Sequence, residues 1–126
     1  MIDTSEFFTS PNLAGAIIGH FFGDYILQNH FLAINKKKSS WVCGLHCFLW
    51  ALAVVFFGFL PWTALLPLAI LHFVIDRWSF VSWWMEFNGQ AGFRDKLAPW
   101  SSIAVDNTMH LAQVWIVWVF VVGGWL

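Results

Sequence analysis

Three His–Asp pairs stand at helical spacing inside otherwise apolar sequence: His20 with Asp24, His72 with Asp76, and Asp106 with His110. Residues i and i+4 share a helix face and lie about 6 Å apart, so each pair aims an imidazole and a carboxylate at one region of space. The pair order reverses in the third. A chain that crosses a membrane and returns reverses direction too, so each Asp stays on the same side of its His. His46 adds a further imidazole. An ionisable side chain at mid-membrane costs about 2.5–3.5 kcal/mol on insertion scales. Three uncompensated carboxylates would cost several times that, before their mutual repulsion. Arg77 follows Asp76 directly, so it points off the shared face and cannot neutralise all three. Divalent ions can, and imidazole with carboxylate suits Zn, Mn or Fe. His20, Asp24, His46, His72, Asp76, Asp106 and His110 exceed what one tetrahedral zinc needs, which favours a dinuclear site.

These ligands need helices to position them. Of 126 residues, 60% are hydrophobic and only 10% charged, with ten Trp and fourteen Phe. A soluble domain carries about 25% charged residues. The expected fold class is therefore all-α, an integral membrane four-helix bundle in a single domain over residues 1–126. A span needs about 20 mostly apolar residues. Four segments qualify, at about 12–32, 41–60, 61–84 and 101–125. Ser10 or Asn12 is a candidate cap for the first span, with Pro11 near its first helical position. Pro61 suits the start of the third, and Pro67 is expected to bend an early turn. The second and third spans should form a tight hairpin, and residues 86–100 a longer polar connection.

All six basic residues then fall on one side: Lys36, Lys37, Lys38, Arg77, Arg94 and Lys96. The positive-inside rule makes that side cytoplasmic and puts both termini outside. Trp41, Trp83, Trp84 and Trp100 would line the inner interface. Residues 1–12 hold Asp3 and Glu6 and no basic residue, unlike a secretory signal, so the first span should stay in the mature protein. Cys43 and Cys47, one helical turn apart, read as free thiols. A net charge of −1 gives no footprint for nucleic acid.

Other polar residues flank the constellation. Gln28 continues the His20–Asp24 face, as a group behind a ligand or on a wet path inward. Arg77 or Arg94 is a candidate for holding a substrate phosphate. Asn107 and Gln113 are candidates for orienting ligands, or for plain interhelical contacts. His30 should be solvated. A carboxylate that does not ligate metal would serve as general base, with Asp24, Asp76 and Asp106 the candidates.

The stretches GHFFGDYILQNHFLAINKKKS, GLH at residues 44–46, HFVIDRW at 72–78 and DNTMHL at 106–111 resemble a small four-span family of bacteria and phages, the domain-of-unknown-function 3307 family. The likeness covers nearly the whole chain. One departure is Asn107, where Gln would be expected. The family is similar in layout to predicted membrane-bound metal-dependent hydrolases. The resemblance implies the same seven ligands and a multi-pass protein of the bacterial inner membrane.

The leading expectation is a membrane-embedded metal-dependent hydrolase. One or two divalent ions would activate water, and the site would open to the cytoplasmic side. A lipid-like phosphoester fits that depth. Two rivals use the same residues: a metal-stabilised, non-catalytic accessory subunit of a membrane complex, and a proton or metal transporter. A tetrapyrrole binder is disfavoured, because axial ligation needs no Asp beside each His. Membrane lipids are expected neighbours, and the apolar exterior suits a homo-oligomer or a larger membrane complex.

Overall fold

The computed structural model describes residue 5 and residues 9–126, and Asp3 and Glu6 lie outside the described residues. The regular structure among the described residues is all helical, without strands. Asn12 starts the first helix: its side chain accepts from the Gly15 amide at 3.0 Å, and its own amide donates to Gly58 O at 2.8 Å. Helix α1 (Leu13–Phe21) continues as a π-helix over Phe22–Leu27. There the expected first span breaks, because Gln28 and Asn29 adopt extended backbone. The Asn29 side chain accepts from the Leu32 amide at 2.9 Å and caps a new short helix, α2 (His30–Asn35). A side-chain cap satisfies donors that a continuing helix would bond internally, so Asn29 restarts the helix in a new direction.

Ser39 caps α3 (Ser40–Gly58), which ends with Phe59 in the left-handed region. The expected hairpin follows: a 3-10 turn over Trp62–Ala64 leads into α4 (Leu65–Arg77). Pro67 lies in the first turn of α4, where a missing N–H costs no helical bond. At Ser79, with φ 54°, the chain bends by 62° into α5 (Phe80–Phe87). Helix α6 (Ala91–Lys96) and then α7 (Ser101–Val122) complete the chain.

Two helices, α3 and α7, are long and apolar enough to cross a membrane, and α4 with α5 makes a third if the bent pair counts as one span. The first segment, Leu13–Leu27, is apolar but shorter than the expected 12–32. The physical reasons are the Asn29 cap and the Ser79 bend. The segment α1, α3, α4 and α7 nonetheless pack around one core. Trp50, Val54, Leu68, Val114 and Val117 fill it. Large apolar side chains such as Phe56, Ile70 and Phe120 face outward, as lipid-facing residues do.

The tightest seam joins α1 to α3. A Cβ on Gly19 would lie 2.5 Å from Ala53 O, and one on Gly15 2.0 Å from Phe57 O. On Gly23 it would meet Trp50 at 2.7 Å. Three glycines spaced by four residues thus let two backbones touch, a packing mode that lipid-embedded helices favour. This approach brings His20 and Asp24 into reach of α3.

Candidate metal centre

Asp24, His46, His72 and Asp76 meet where α1, α3 and α4 converge, with His110 reaching in from α7. All five are buried. Asp24 Oδ1 lies 3.3 Å from His46 Nε2 and 3.6 Å from His72 Nε2. The two imidazole nitrogens stand 3.0 Å apart. Zinc binds nitrogen and oxygen at about 2.0–2.1 Å, so the edge between two tetrahedral ligands is about 3.3 Å. These three separations bracket that edge. The three atoms form one face of such a polyhedron and leave a further position open.

Neither Asp24 oxygen has a hydrogen-bond partner among the described residues, although both are buried. A buried carboxylate without hydrogen bonds is costly. The imidazoles approach it without hydrogen-bond geometry. A cation between them satisfies both.

A second group shares His72 with the first. His72, Asp76 and His110 also offer mutually close ligand atoms. His110 Nε2 lies 3.2 Å from Asp76 Oδ1 and 3.5 Å from Asp106 Oδ1. The other Asp76 oxygen faces His72 at 3.3 Å and His46 at 3.4 Å. Asp76 thus presents one oxygen to each group.

Hydrogen bonds around the ligands fix their protons. Gln113 Nε2 donates to Leu68 O at 2.8 Å, which leaves its oxygen facing His110 Nδ1 at 3.3 Å. Nδ1 therefore carries the proton and donates. The Nε2 lone pair of neutral His110 then points at two carboxylate oxygens, where only a proton or a cation relieves the repulsion. His72 is held by stacking: its ring lies between Trp50, at 4.1 Å, and His110, at 4.0 Å.

His20 behaves differently. Trp50 Nε1, a donor only, gives its hydrogen to His20 Nδ1 at 3.2 Å. Asn107 uses its amide nitrogen on Tyr25 Oη and Ile103 O, so its oxygen accepts from His20 Nε2 at 3.0 Å. Both ring nitrogens are engaged. His20 sits 3.3 Å from Asp24 Oδ2 and flanks the metal-sized space.

His46 and His72 lie between Asp24 and Asp76, and Asp106 stands at the rim with its side chain 37% exposed. Asn107 and Gln113 do orient histidines. Arg77 turns away, bonding Ser40 Oγ at 3.1 Å and Lys37 O at 2.6 Å. Arg94 pairs with Asp95 at 2.7 Å on the surface. Cys43 and Cys47 are buried with their sulfurs 3.8 Å apart.

The cation that reaches the site is one the sequence reading passed over. Lys36 Nζ contacts Asp76 Oδ2 at 2.6 Å. Burial opposes its charge, but Asp76, with Asp24 and Asp106 beyond, outweighs burial and raises its pKa above the ordinary lysine value. The α2 turn delivers it. No spacing rule links residue 36 to residue 76, so only the fold makes the pairing visible. A cleft of about 330 Å³ opens beside it, lined by Asp24, Asp76, Asp106, Gln28, Lys36 and Lys37 among others.

A family described as a protein of unknown function, DUF3307, matches residues 13–124, and the chain belongs to it. No curated protein and no solved structure matches the chain.

Proposed function

We propose that this DUF3307 family member is a membrane-embedded hydrolase that works with one or two divalent ions, Zn, Mn or Fe, on an amphiphilic phosphoester. In this reading it resides in the bacterial inner membrane. All four helical segments serve as spans, both termini lie outside, and the end bearing Lys36 and Arg77 faces the cytoplasm. The observation that carries the proposal is Asp24: two buried carboxylate oxygens without hydrogen-bond partners among the described residues, of which Oδ1 lies at tetrahedral edge distances from two imidazoles.

Asp24, His46 and His72 would hold one ion, and Asp76 and His110 a second. A divalent ion lowers the pKa of bound water and polarises a phosphoryl oxygen. The chain supplies the rest. Gln113 keeps the His110 lone pair turned inward. Lys36 and all three carboxylates line the cleft, so an ester oxygen can reach the site from there. Asp106, the most exposed of the three carboxylates, is best placed to take the proton from an attacking water. The water oxygen bonds to phosphorus, the ester P–O bond breaks, and the leaving alkoxide takes a proton from solvent.

Purified protein should release alcohol and phosphate from a long-chain alkyl phosphate. Asp106→Asn should abolish release while keeping fold and most bound metal. A folded, metal-loaded wild type with no such activity would turn the reading to its rival, a metal-tied accessory subunit of a membrane complex. Burial of His20, His46, His72 and His110 at 0–1% exposure favours that rival. A transporter is less well supported, because the core beyond the ligands is filled by apolar residues such as Val54, Leu68 and Val117.

A further inference from the structure

Beside the polar cleft runs an apolar groove of about 350 Å³, formed by Ile18, Phe21, Phe22, Tyr25 and Ile26 on the outer face of α1 and its π-helical extension. The two meet at Tyr25, which lines both. Other apolar grooves lie against α3, α4 and α7, and share no lining residue with the cleft. Tyr25 is well made for a junction. Its hydroxyl takes a hydrogen bond from Asn107 at 2.7 Å, on the site side. Its ring stacks with Phe21 at 6.1 Å, on the groove side.

The cleft itself holds features that a substrate head would satisfy. Gln28 donates to Asp24 O at 3.3 Å, while its own Oε1 is buried without a hydrogen-bond partner among the described residues. Lys36 and Lys37 line the same space, and the Lys37 side chain is exposed there. A cleft this size takes a small headgroup and excludes a folded partner.

We propose that cleft and groove together seat one amphiphile: an anionic phosphorylated head in the cleft against Lys36 and Lys37, and a single aliphatic chain along Ile18, Phe21 and Ile26. The inference rests on the hydrolase reading, since the three carboxylates of the cleft accept an anion only with a divalent ion among them. It goes further in assigning the head and the chain to named residues and in giving the path of entry. The head arrives sideways from the bilayer, and the chain never leaves lipid. A donor on the head, such as a hydroxyl beside the phosphate, would meet Gln28 Oε1.

The test uses the full chain in lipid nanodiscs loaded with zinc. The probe is a long-chain alkyl phosphonate carrying a photoreactive diazirine in mid-chain. A phosphonate has no ester oxygen to lose, so labelling reports seating whether or not the protein turns over any ester. That separates failure of the seat from failure of the hydrolase reading. Labelling should concentrate on residues 18–26 and fall at least about tenfold in Lys36→Gln. Lys37→Gln, an exposed change that leaves the Asp76 contact intact, should also reduce it. The same chain bearing a trimethylammonium head should label all lipid-facing helices alike. Labelling spread evenly by the phosphonate, or labelling of residues 18–26 that ignores both the head group and Lys37→Gln, would overturn the proposal.

Discussion

Trp50 and Gln113 carry no chemistry of their own, yet each decides what a histidine can do. The Trp50 indole occupies His20 Nδ1 and stacks on His72. Gln113 forces the proton of His110 onto Nδ1 and frees Nε2. Groups behind metal ligands commonly change metal affinity by 10–100-fold when removed. Gln113→Leu is therefore expected to weaken zinc binding by about that factor in a chelator-competition titration, with helix content unchanged. Asn107→Leu, which acts on His20, should change zinc affinity much less. Equal losses for the two variants would mean that His20 ligates as well. The i, i+4 pairs were legible in the sequence as chemistry. The division of labour between His20 and His110 was not, because it depends on which neighbours claim each nitrogen.

At the scale of the element, the α1–α3 seam sets the site. Gly19→Ala places a Cβ 2.5 Å from Ala53 O, against backbone that cannot yield cheaply. Overpacking of this kind costs about 1–3 kcal/mol. The variant should melt several degrees lower and lose metal affinity, since Asp24 moves with the seam. Gly44→Ala is the control: nothing lies within 4 Å of its Cβ, and alanine favours a helix by up to about 1 kcal/mol. It should leave the melting temperature level or raise it. A Gly19→Ala protein as stable as Gly44→Ala would show that the backbones do not touch. The hairpin at Pro61 and the lengths of α3 and α7 are plain in the sequence, whereas the role of Gly15, Gly19 and Gly23 emerges only from the seam. The break at Gln28 and the bend at Ser79 were hidden. Both fall within apolar runs that read as continuous spans by hydropathy, and a single cap or left-handed residue decides them.

For the whole molecule, an ion shared by α1, α3, α4 and α7 would tie the bundle together. A ligand that binds only the folded state stabilises it by about 2.7 kcal/mol at a hundred times its dissociation constant. Chelation should therefore lower the melting temperature of the wild type, and zinc should restore it. In an Asp24→Asn, Asp76→Asn double variant, chelator and zinc should have no effect. A wild type indifferent to both would separate stability from metal. The basic residues were read as one cytoplasmic end, and the contacts of Lys36 with Asp76 and of Arg77 with Lys37 bring two of those segments together. The pairing of Lys36 with Asp76 is hidden in the sequence, because 40 residues separate them and only the turn after α2 brings Lys36 to the end of α4.

The most direct test is elemental analysis of the purified wild type beside that double variant. The account predicts about one or two equivalents of Zn, Mn or Fe per chain in the wild type, and near none in the folded variant. Wild-type protein that holds no such metal even after incubation with each ion, or a double variant that keeps its full complement, would contradict it.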